Sequence, residues 1–574
     1  MTKITLTQID ASSIQDYIFG SNNLRQNVGA SELVYRSTTQ WVDEALTTTL
    51  GNRDKHNVEW DEKTGDLIFK PGLTVANDQL QAEVVYAGGG NTLILFKGEP
   101  EVHAIPFAKI LSTRMVKEAR GLRLGIDHAV FEWENQALAT VHSDLRKLAM
   151  SGKAPRPISM PLLGLGVTAA CNFTGLPAVG RDHDDLVSQE AKHKAEAHKQ
   201  ALARLHNVLP KVRKGKYAYE FVDDFDLLGE KHESSFMAVV HADGNGMGKR
   251  FEAIAAQYPR PEDNAEYVIR LRRLSEGVKE NSIKALRATV DLLIRDREQT
   301  EGEDFGYVVP VPKKNGVNYL PFRPIVFGGD DTTFVCEGRL GLTLAKKFLE
   351  VISQEPLPGL KEGQEGEPLY ARAGVAVVKS HYPFSRAYEL SEALVASAKK
   401  ELKEMMVNEK GSVIDWHFST SGIIVPLDQL RNREYAADNG DSLLMRPVWV
   451  DVGEAPTVEA YWRSWQNFDY VTSVFNGRAR NPEEAKPWAE RRNKILALRT
   501  ALRQGSEAVE QFRESYEQSL LPVILESPTD NIQDNKKTAV RQTGWHPDKH
   551  KCGYFDAIEA MDFYVPLYAG ENEQ

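Results

Sequence analysis

Cysteine is scarce in this chain of 574 residues, and its three cysteines lie far apart. Cys171, Cys336 and Cys552 form no CxxC pair, so a single chain cannot build a four-cysteine zinc site, and we expect no zinc. The small number also fits a reducing compartment without a disulfide framework. No apolar run reaches the roughly 18 residues of a membrane helix, and the N-terminus lacks the apolar core of a signal peptide. These absences predict a soluble, cytoplasmic protein with no membrane partner.

An excess of positive charge is also missing. The chain has 70 Lys and Arg against 81 Asp and Glu, so its formal net charge is −11. This balance argues against a protein that coats nucleic acid unaided. Charged residues make up 26% and hydrophobic residues 41%, as in ordinary globular proteins. At roughly 150 residues per domain, the length predicts about three or four domains.

The first part of the chain has the pattern of an α+β domain. Alternating apolar residues at 4–9 predict a strand that leads to Asp10. Helical periodicity follows, with a second helix expected from near Ala30 to Trp41. Residues 82–96 contain two β-rich runs around a glycine-rich turn, which predicts a hairpin before another helix. Strand, helix, hairpin and helix follow one another in this order in ferredoxin-like domains.

The same order returns further along the chain. Residues 236–242 predict a buried strand that ends in Asp243, and a long amphipathic helix is expected over 264–297. A second hairpin is predicted at 324–338, and a further strand at 371–380. The matched order of elements predicts an internal duplication with little residue identity between its halves.

Carboxylates are expected to converge in the second half only. Asp243 ends a strand, while Asp330 and Asp331 lie at the tip of a hairpin that can pair beside it. Such a set suits two divalent ions, Mg²⁺ or Mn²⁺, of the kind that catalyse nucleotidyl transfer. The first half has Asp10, but Asn91 stands where paired acids would be needed. We therefore expect that half to be a structural partner or a wall against a base.

Glycines and a lysine around the carboxylates suggest a nucleotide site. Glycines in the hairpin allow close approach of a ligand, and the glycine run after Asp243 precedes a helix N-terminus that can cradle phosphates. A plain surface turn and a solvated helix face are the alternatives. The candidate nucleotide-binding residues are Gly244, Asn245, Gly246, Gly248, Gly328, Gly329 and Lys399.

Several stretches resemble the large polymerase/cyclase subunit of type III CRISPR effector complexes, a family with two palm domains. They are IQDYIFGSNNLRQNVGASELV (14–34), VVYAGGGNTLILF (84–96), CNFTGLPA (171–178), VVHADGNGMGKRF (239–251), FGGDDTTFV (327–335) and AGVAVVKSHYPFSRAYELSEALVASAKK (373–400). The resemblance implies two ferredoxin-like palm domains of nucleotide cyclase type, a helical linker region and a helical C-terminal domain. The domains expected are a degenerate palm (1–150), a linker without the zinc site (151–232), a catalytic palm (233–420) and a helical domain (421–574).

The resemblance also implies an activity. ATP is expected to be condensed into cyclic oligoadenylates, by attack of a 3′-hydroxyl on an α-phosphate with release of pyrophosphate. Asp243, Asp330 and Asp331 would be the catalytic metal ligands, and Ser282 would touch adenine. The partners implied are ATP and, in a ribonucleoprotein, effector subunits with guide and target RNA, and a homodimer is a further possibility. A dinucleotide cyclase of the GGDEF type that uses GTP and an RNA-binding scaffold are the alternative functions.

The sequence departs from the family in two places. Palm-like sequence starts at residue 4, so we do not expect the HD nuclease domain that many members carry. The Asp182-His183 dipeptide is interpreted as part of a charged loop. Of the family's zinc site only Cys171 remains, and we expect it to be a buried structural thiol. The basic stretch 192–216 is interpreted as a solvated helix face, with a contact to RNA as the alternative.

Overall fold

The structure is a computed structural model of the chain. It describes residues 2–70, 72–75, 80–151, 166–182, 184–209, 218–229, 235–302, 304–405, 410–419, 425–450, 461–479, 481–518, 520–525, 538–546 and 550–567. His183, and residues 210–216 of the basic stretch, lie outside the described residues.

The N-terminal unit is built around a four-stranded antiparallel sheet. Its elements are β1 (Lys3–Ser12), α1 (Ile14–Phe19), α2 (Leu24–Ser37), α3 (Gln40–Leu50), β2 (Val58–Asp61), β3 (Asp66–Phe69), β4 (Ala82–Gly88), β5 (Asn91–Lys97), α4 (Ala104–Glu118), β6 (Arg123–Glu132) and α5 (Leu138–Ser151). The sheet order is β4-β5-β1-β6, while β2 and β3 form a separate hairpin. The main elements follow one another as β-α-β-β-α-β, the ferredoxin-like order, and the predicted hairpin at 82–96 is confirmed.

The helix expected from near Ala30 to Trp41 was wrongly bounded, because the structure has two helices there. α2 begins at Leu24, where the Asn23 side chain accepts a hydrogen bond from the Gln26 N–H. Such capping satisfies one of the free amides of the first turn. The chain breaks after Ser37 and continues as α3 from Gln40. The apolar periodicity continued through the break and therefore did not reveal it.

Between the two sheet units, the described residues include one long helix and three short strands: β7 (Gly180–Asp182), β8 (Asp185–Val187), α6 (Gln189–Val208) and β9 (Glu220–Phe221). The prediction that the basic part of α6 is a solvated face is wrong for Lys194, which is buried. Its ammonium donates to the Tyr17 carbonyl at 2.7 Å and the Glu190 carboxylate at 2.6 Å. α6 lies so close to α2 that a Cβ on Gly29 would stand 1.7 Å from the Lys194 carbonyl oxygen.

The central unit contains a larger sheet with the same succession of elements. They are β10 (Phe236–Gly244), α7 (Met247–Gln257), α8 (Asn264–Gln299), β11 (Lys313–Lys314), β12 (Val317–Leu320), β13 (Phe322–Val326), β14 (Asp331–Glu337), α9 (Gly341–Ile352), β15 (Pro356–Pro358), β16 (Glu365–Pro368), β17 (Ala371–Lys379), α10 (Phe384–Met405) and β18 (Val413–Ser419). The strand order is β13-β14-β10-β17-β18. β10 is antiparallel to both neighbours, and β18 is parallel to β17.

The described C-terminal part is mostly helical. Its elements are α11 (Leu427–Glu434), β19 (Val448–Trp449), α12 (Trp465–Phe475), α13 (Pro482–Ala485), α14 (Arg492–Gln504), α15 (Ser506–Ser515), α16 (Thr538–Thr543) and α17 (Phe555–Ala560). β19 pairs with β18, so the central sheet extends into this region. All three cysteines are buried and free, as expected for Cys171. Within the described ranges, no helix is long and apolar enough to cross a membrane.

The two sheet units pack together in a reciprocal way. α1, which follows the first strand of the N-terminal unit, contacts α10, which follows β17 of the central unit. α7, which follows the first strand of the central unit, contacts α5, which follows β6. In the first contact, the rings of Phe19 and Tyr388 stack with centroids 3.7 Å apart. The second contact is extended by His142 of α5, whose Nδ1 is 2.8 Å from the Tyr267 hydroxyl of α8.

We expect His142 to make the stability of the protein dependent on pH. Burial lowers the pKa of His142 from 6.5 to about 3, so below pH 6.5 the unfolded chain binds a proton that the folded chain does not. Stability should therefore fall as the pH falls, by up to about 3 kcal/mol over two pH units. His142→Gln should flatten the dependence of the thermal midpoint on pH between 6.5 and 4.5. The exposed control His381→Gln should leave it as in the wild type, and equal slopes for all three proteins would contradict the expectation.

Candidate active site

The three predicted carboxylates lie at one edge of the central sheet. Asp243 is at the end of β10, directly opposite Asp331, the first residue of β14. The Gly244 N–H donates a 3.0 Å hydrogen bond to the Asp330 carbonyl and closes the pairing of the two strands. The sheet thus holds the backbones of all three aspartates together, because β10 and β14 pair without a shift in register.

Two cationic or titratable side chains accompany these carboxylates, and the sequence analysis missed both. Arg372 of β17 is opposite Asp243 on its other side, and the buried guanidinium forms an ion pair with the Asp243 carboxylate. His241 is two residues before Asp243, and its Nδ1 lies 3.2 Å from the Asp331 carboxylate. Burial opposes the charged imidazole, but Asp331 and Asp243 outweigh it and raise the pKa of His241.

Both residues had a signal in the sequence. Arg372 is the only charged residue in the run from Ala371 to Val378, and the whole run is buried. His241 shares its face of β10 with Asp243, because alternate residues of a strand point the same way. A polar residue that interrupts a buried strand beside a candidate site can thus be identified before the structure is known.

Mutual repulsion acts on the carboxylate cluster. Burial, followed by the charges of Asp331 and Asp243, raises the pKa of Asp330 from 3.8 to about 6. Oxygen ligands of this kind, crowded together with like charges, fit the chemistry of Mg²⁺. In the described part of the chain, however, no three His, Cys, Asp or Glu side chains are grouped as a metal site requires. Asp243 is turned to Arg372 instead, and Asp331 to His241.

The glycines shape the two turns beside the carboxylates. Gly328 has φ +93° and Gly246 has φ +69°, in the left-handed region that disfavours residues with a side chain. No atom lies within 4 Å of a Cβ placed on Gly328 or Gly248, so these backbones face open space. At Gly244 a Cβ would meet the Asp330 Cβ at 3.0 Å, so this glycine allows the close strand approach.

The other three predicted nucleotide-binding residues differ in exposure: two are buried and one is exposed. Asn245 is buried and donates from its side chain to the Gly411 carbonyl at 2.9 Å, a contact within the protein. Ser282 of α8 is completely buried, and its hydroxyl is 3.0 Å from that of Thr332, the neighbour of Asp331. Lys399 is exposed on α10. The nucleotide roles of these three residues stay predictions.

The N-terminal unit has the same strand arrangement as the central unit, but different side chains at the equivalent positions. Asp10 of β1 pairs with Asn91 of β5 and with Gly125 of β6. These are the strand positions that Asp331 and Arg372 occupy around Asp243 in the central unit. The first unit therefore has one carboxylate, an amide and a glycine where the second has two carboxylates and an arginine.

No protein-family model and no curated protein matches the sequence. Solved structures do match. A Csm1–Csm4 cassette in complex with cA3 superposes with a TM-score of 0.50 at 15% identity, over 97% of this chain and 70% of that chain. This chain has the Csm1 fold. The apo Csm1–Csm4 cassette gives 0.49 at 16% identity over 97% and 70% of the two chains, and Csm1 of T. onnurineus gives 0.48 at 15% identity over 98% and 70%.

The Csm1 likeness confirms at the level of the fold the resemblance found in the sequence motifs. The α+β class is confirmed as well, since several sheets are combined with helices in one chain. At 15% identity this superposition shows the fold alone, so the activity has to be argued from the residues at the sheet edge.

Arg372 should stabilise the carboxylate cluster of this Csm1-like chain when metal is removed. Arg372→Met leaves Asp243 without its ion-pair partner and next to like charges, so the free energy of unfolding should fall by about 1–3 kcal/mol in chelator. Added Mg²⁺ should recover part of the loss. Urea denaturation measures both effects. The control Arg386→Met removes an exposed arginine on α10 and should cost less than about 0.5 kcal/mol. Wild-type stability of Arg372→Met in chelator would disprove the expected role.

Proposed function

We propose that this protein is a metal-dependent nucleotidyltransferase that condenses ATP into cyclic oligoadenylate in CRISPR-type antiviral defence. The observation that carries the proposal is the strand register that sets Asp243 opposite Asp331 and bonds Gly244 to Asp330. Three acids at one sheet edge, next to glycine turns, are the residue types that two-metal transfer of a nucleotidyl group requires.

Asp243, Asp330 and Asp331 would hold Mg²⁺ or Mn²⁺. When bound, the ions would activate the attacking 3′-hydroxyl and neutralise the charge on the α-phosphate and the leaving pyrophosphate. Before metal and ATP arrive, Arg372 neutralises Asp243, and the His241 imidazole lies against the Asp331 carboxylate. These pairings keep the acids ordered while they are near one another. They have to be released, or shared, when metal is bound.

The turns around the acids would bind the nucleotide. Gly328 and Gly248 face open space, so a triphosphate can approach the backbone N–H groups of Gly246 and Gly329. The Gly244 N–H already donates to the Asp330 carbonyl, so Gly244 would contribute only by allowing the two strands to lie close together. Lys399, exposed on α10, would neutralise the outer phosphates. Ser282 is buried under Thr332, so it would act on adenine only through that neighbour or after a local shift.

The matched Csm1–Csm4 cassette supports the choice of product, because it was solved in complex with cA3. That structure also pairs Csm1 with Csm4, and we propose an equivalent effector subunit, with guide and target RNA, as a partner of this chain. The two sheet units are proposed to be two palms with the nucleotides between them, spanning 1–150 and 233–420. The linker is then 151–232 and the helical domain is 421–574. The proposed location is the cytoplasm, and a homodimer remains an alternative assembly.

The test is incubation of the purified protein with each NTP and Mg²⁺ or Mn²⁺, with products resolved by mass spectrometry. Wild type should convert ATP into cyclic oligoadenylate. Asp331→Asn, which keeps the shape but removes a metal-binding charge, should lower the rate at least about a hundredfold. Asp10→Asn is the matched control, because Asp10 has the same place on β1 that Asp243 has on β10. It should retain most of the activity.

Other outcomes would identify another function. Turnover of GTP alone would indicate a dinucleotide cyclase of the GGDEF type. Equal product traces for wild type and Asp331→Asn would refute the proposed enzymatic activity. Co-purification of guide RNA with such an inactive protein would indicate a scaffold subunit.

A further inference from the structure

A cavity of about 510 Å³ lies away from the carboxylate edge, between α6, β9 and the strands β12 and β13. Histidines, a lysine and an arginine contribute most of its polar groups, together with two acids and a tyrosine. Its lining includes His198, Lys199, His206, Glu220, Tyr319 and Arg323. Basic and imidazole side chains therefore line the same cavity.

Arg323 is the unusual member of this group. It is completely buried, and none of its three guanidinium nitrogens has a hydrogen-bond partner among the described residues. Burial lowers the pKa of Arg323 to about 10, and Asp223 is the acid that opposes this. The Asp223 carboxylate already accepts two hydrogen bonds from Arg25, at 2.6 and 3.2 Å.

A buried guanidinium without partners is costly, because both its charge and its N–H groups lose water. Two other buried arginines of this chain have a carboxylate close to the guanidinium, although Arg446 makes no hydrogen bond through it. Arg463 donates to the Glu401 carboxylate at 2.9 Å, and Arg446 lies 3.3 Å from that of Asp556. Among the described residues, Arg323 has no ion pair of this kind. We therefore expect its partner to be a ligand that the chain itself does not supply.

A second buried donor points to the same place. The Nε2 of His198 lines this cavity and also has no hydrogen-bond partner within the described residues. The positive charge of Arg323 adds to burial and lowers the pKa of His198 to about 4, so the imidazole is neutral near pH 7. A neutral imidazole can carry its proton on Nε2 and donate it to an anion.

Both acids in the lining already have another cationic or imidazole partner. Glu220 is 3.4 Å from the His206 imidazole, and Asp223 is engaged by Arg25. A metal cation would be repelled by Arg323. A planar guanidinium fork with a nearby imidazole is suited to an oxyanion that accepts several hydrogen bonds at once.

We propose that this cavity is a binding site for a phosphate group, with the Arg323 guanidinium and His198 Nε2 as its donors. Lys199, on the same helix as His198, adds positive charge at the rim. The volume is within the range of small-molecule sites, so the phosphate can be free or part of a mononucleotide. This site is separate from the proposed active site and does not depend on the proposed function.

The experiment is isothermal titration of the full chain with inorganic phosphate, AMP and adenosine at constant ionic strength. A chelator keeps metal from bringing phosphate to the aspartates. Wild type should bind one phosphate, and Arg323→Met should lose at least about tenfold in affinity, because hydrogen bonds from a charged group are lost. Arg260→Met removes an exposed arginine with the same change in charge and should bind like wild type.

A second variant keeps the test decisive if Arg323→Met folds poorly. His198→Gln keeps the charge of the protein and should weaken phosphate binding severalfold, with an unchanged far-ultraviolet spectrum. Tighter binding of AMP than of phosphate would identify a mononucleotide as the source, and equal binding would identify free phosphate. No phosphate binding to wild type, or the same affinity in all variants, would overturn the proposal, as would binding of adenosine alone.

Discussion

The position of β10 in the middle of the central sheet is the constraint on which the rest of the candidate site depends. One neighbour, β14, sets Asp331 opposite Asp243, and the other, β17, sets Arg372 opposite the same residue. The strand order places two acids and their counter-charge at one edge with no contribution from a loop. Because both pairings are antiparallel and continuous, a shift of one residue would turn these side chains to the other face.

Charge balance is the second consequence of that register. Carboxylates at a partly buried sheet edge repel each other, and the pKa of Asp330 is raised first by burial and then by this repulsion. Arg372 forms an ion pair with Asp243 and His241 lies against Asp331, both from within the same sheet. The α1–α10 contact continues the packing from there, since the Tyr388 ring lies 5.4 Å from His241 and stacks on Phe19 of the other unit. The N-terminal unit therefore supports the candidate site although it lacks the paired acids.

The duplicated frame explains how one fold can hold two unlike edges. Around Asp10 the neighbouring strands offer Asn91 and Gly125, which carry no charge. Backbone hydrogen bonds form the sheet whatever the side chains at its edge are, so one half can lose the acids and keep its shape. Reciprocal packing between the units then depends on helices that both halves have kept.

Local pattern in the sequence was sufficient for the α+β class, for most strands and helices, and for the three aspartates. Alternation and helical periodicity report on which face is buried, and these patterns are visible in a single chain. Local pattern was not sufficient for the start of α2, which the Asn23 cap sets, or for the break between α2 and α3. It also did not show the burial of Lys194 against Tyr17. The sequence analysis also missed Arg372 and His241, the partners of the aspartates, although each interrupts a buried strand.

The remaining features were decided by tertiary structure, because they depend on elements far apart in the chain. The cavity at Arg323 brings together α6, β9 and β13, more than 100 residues apart at the extremes. Nothing in the residues next to Arg323 shows that its guanidinium has no partner, since pairing of a charge depends on what folds against it. The sequence by itself therefore determined the fold class and the acids at the sheet edge. Only packing decided which buried charges are compensated.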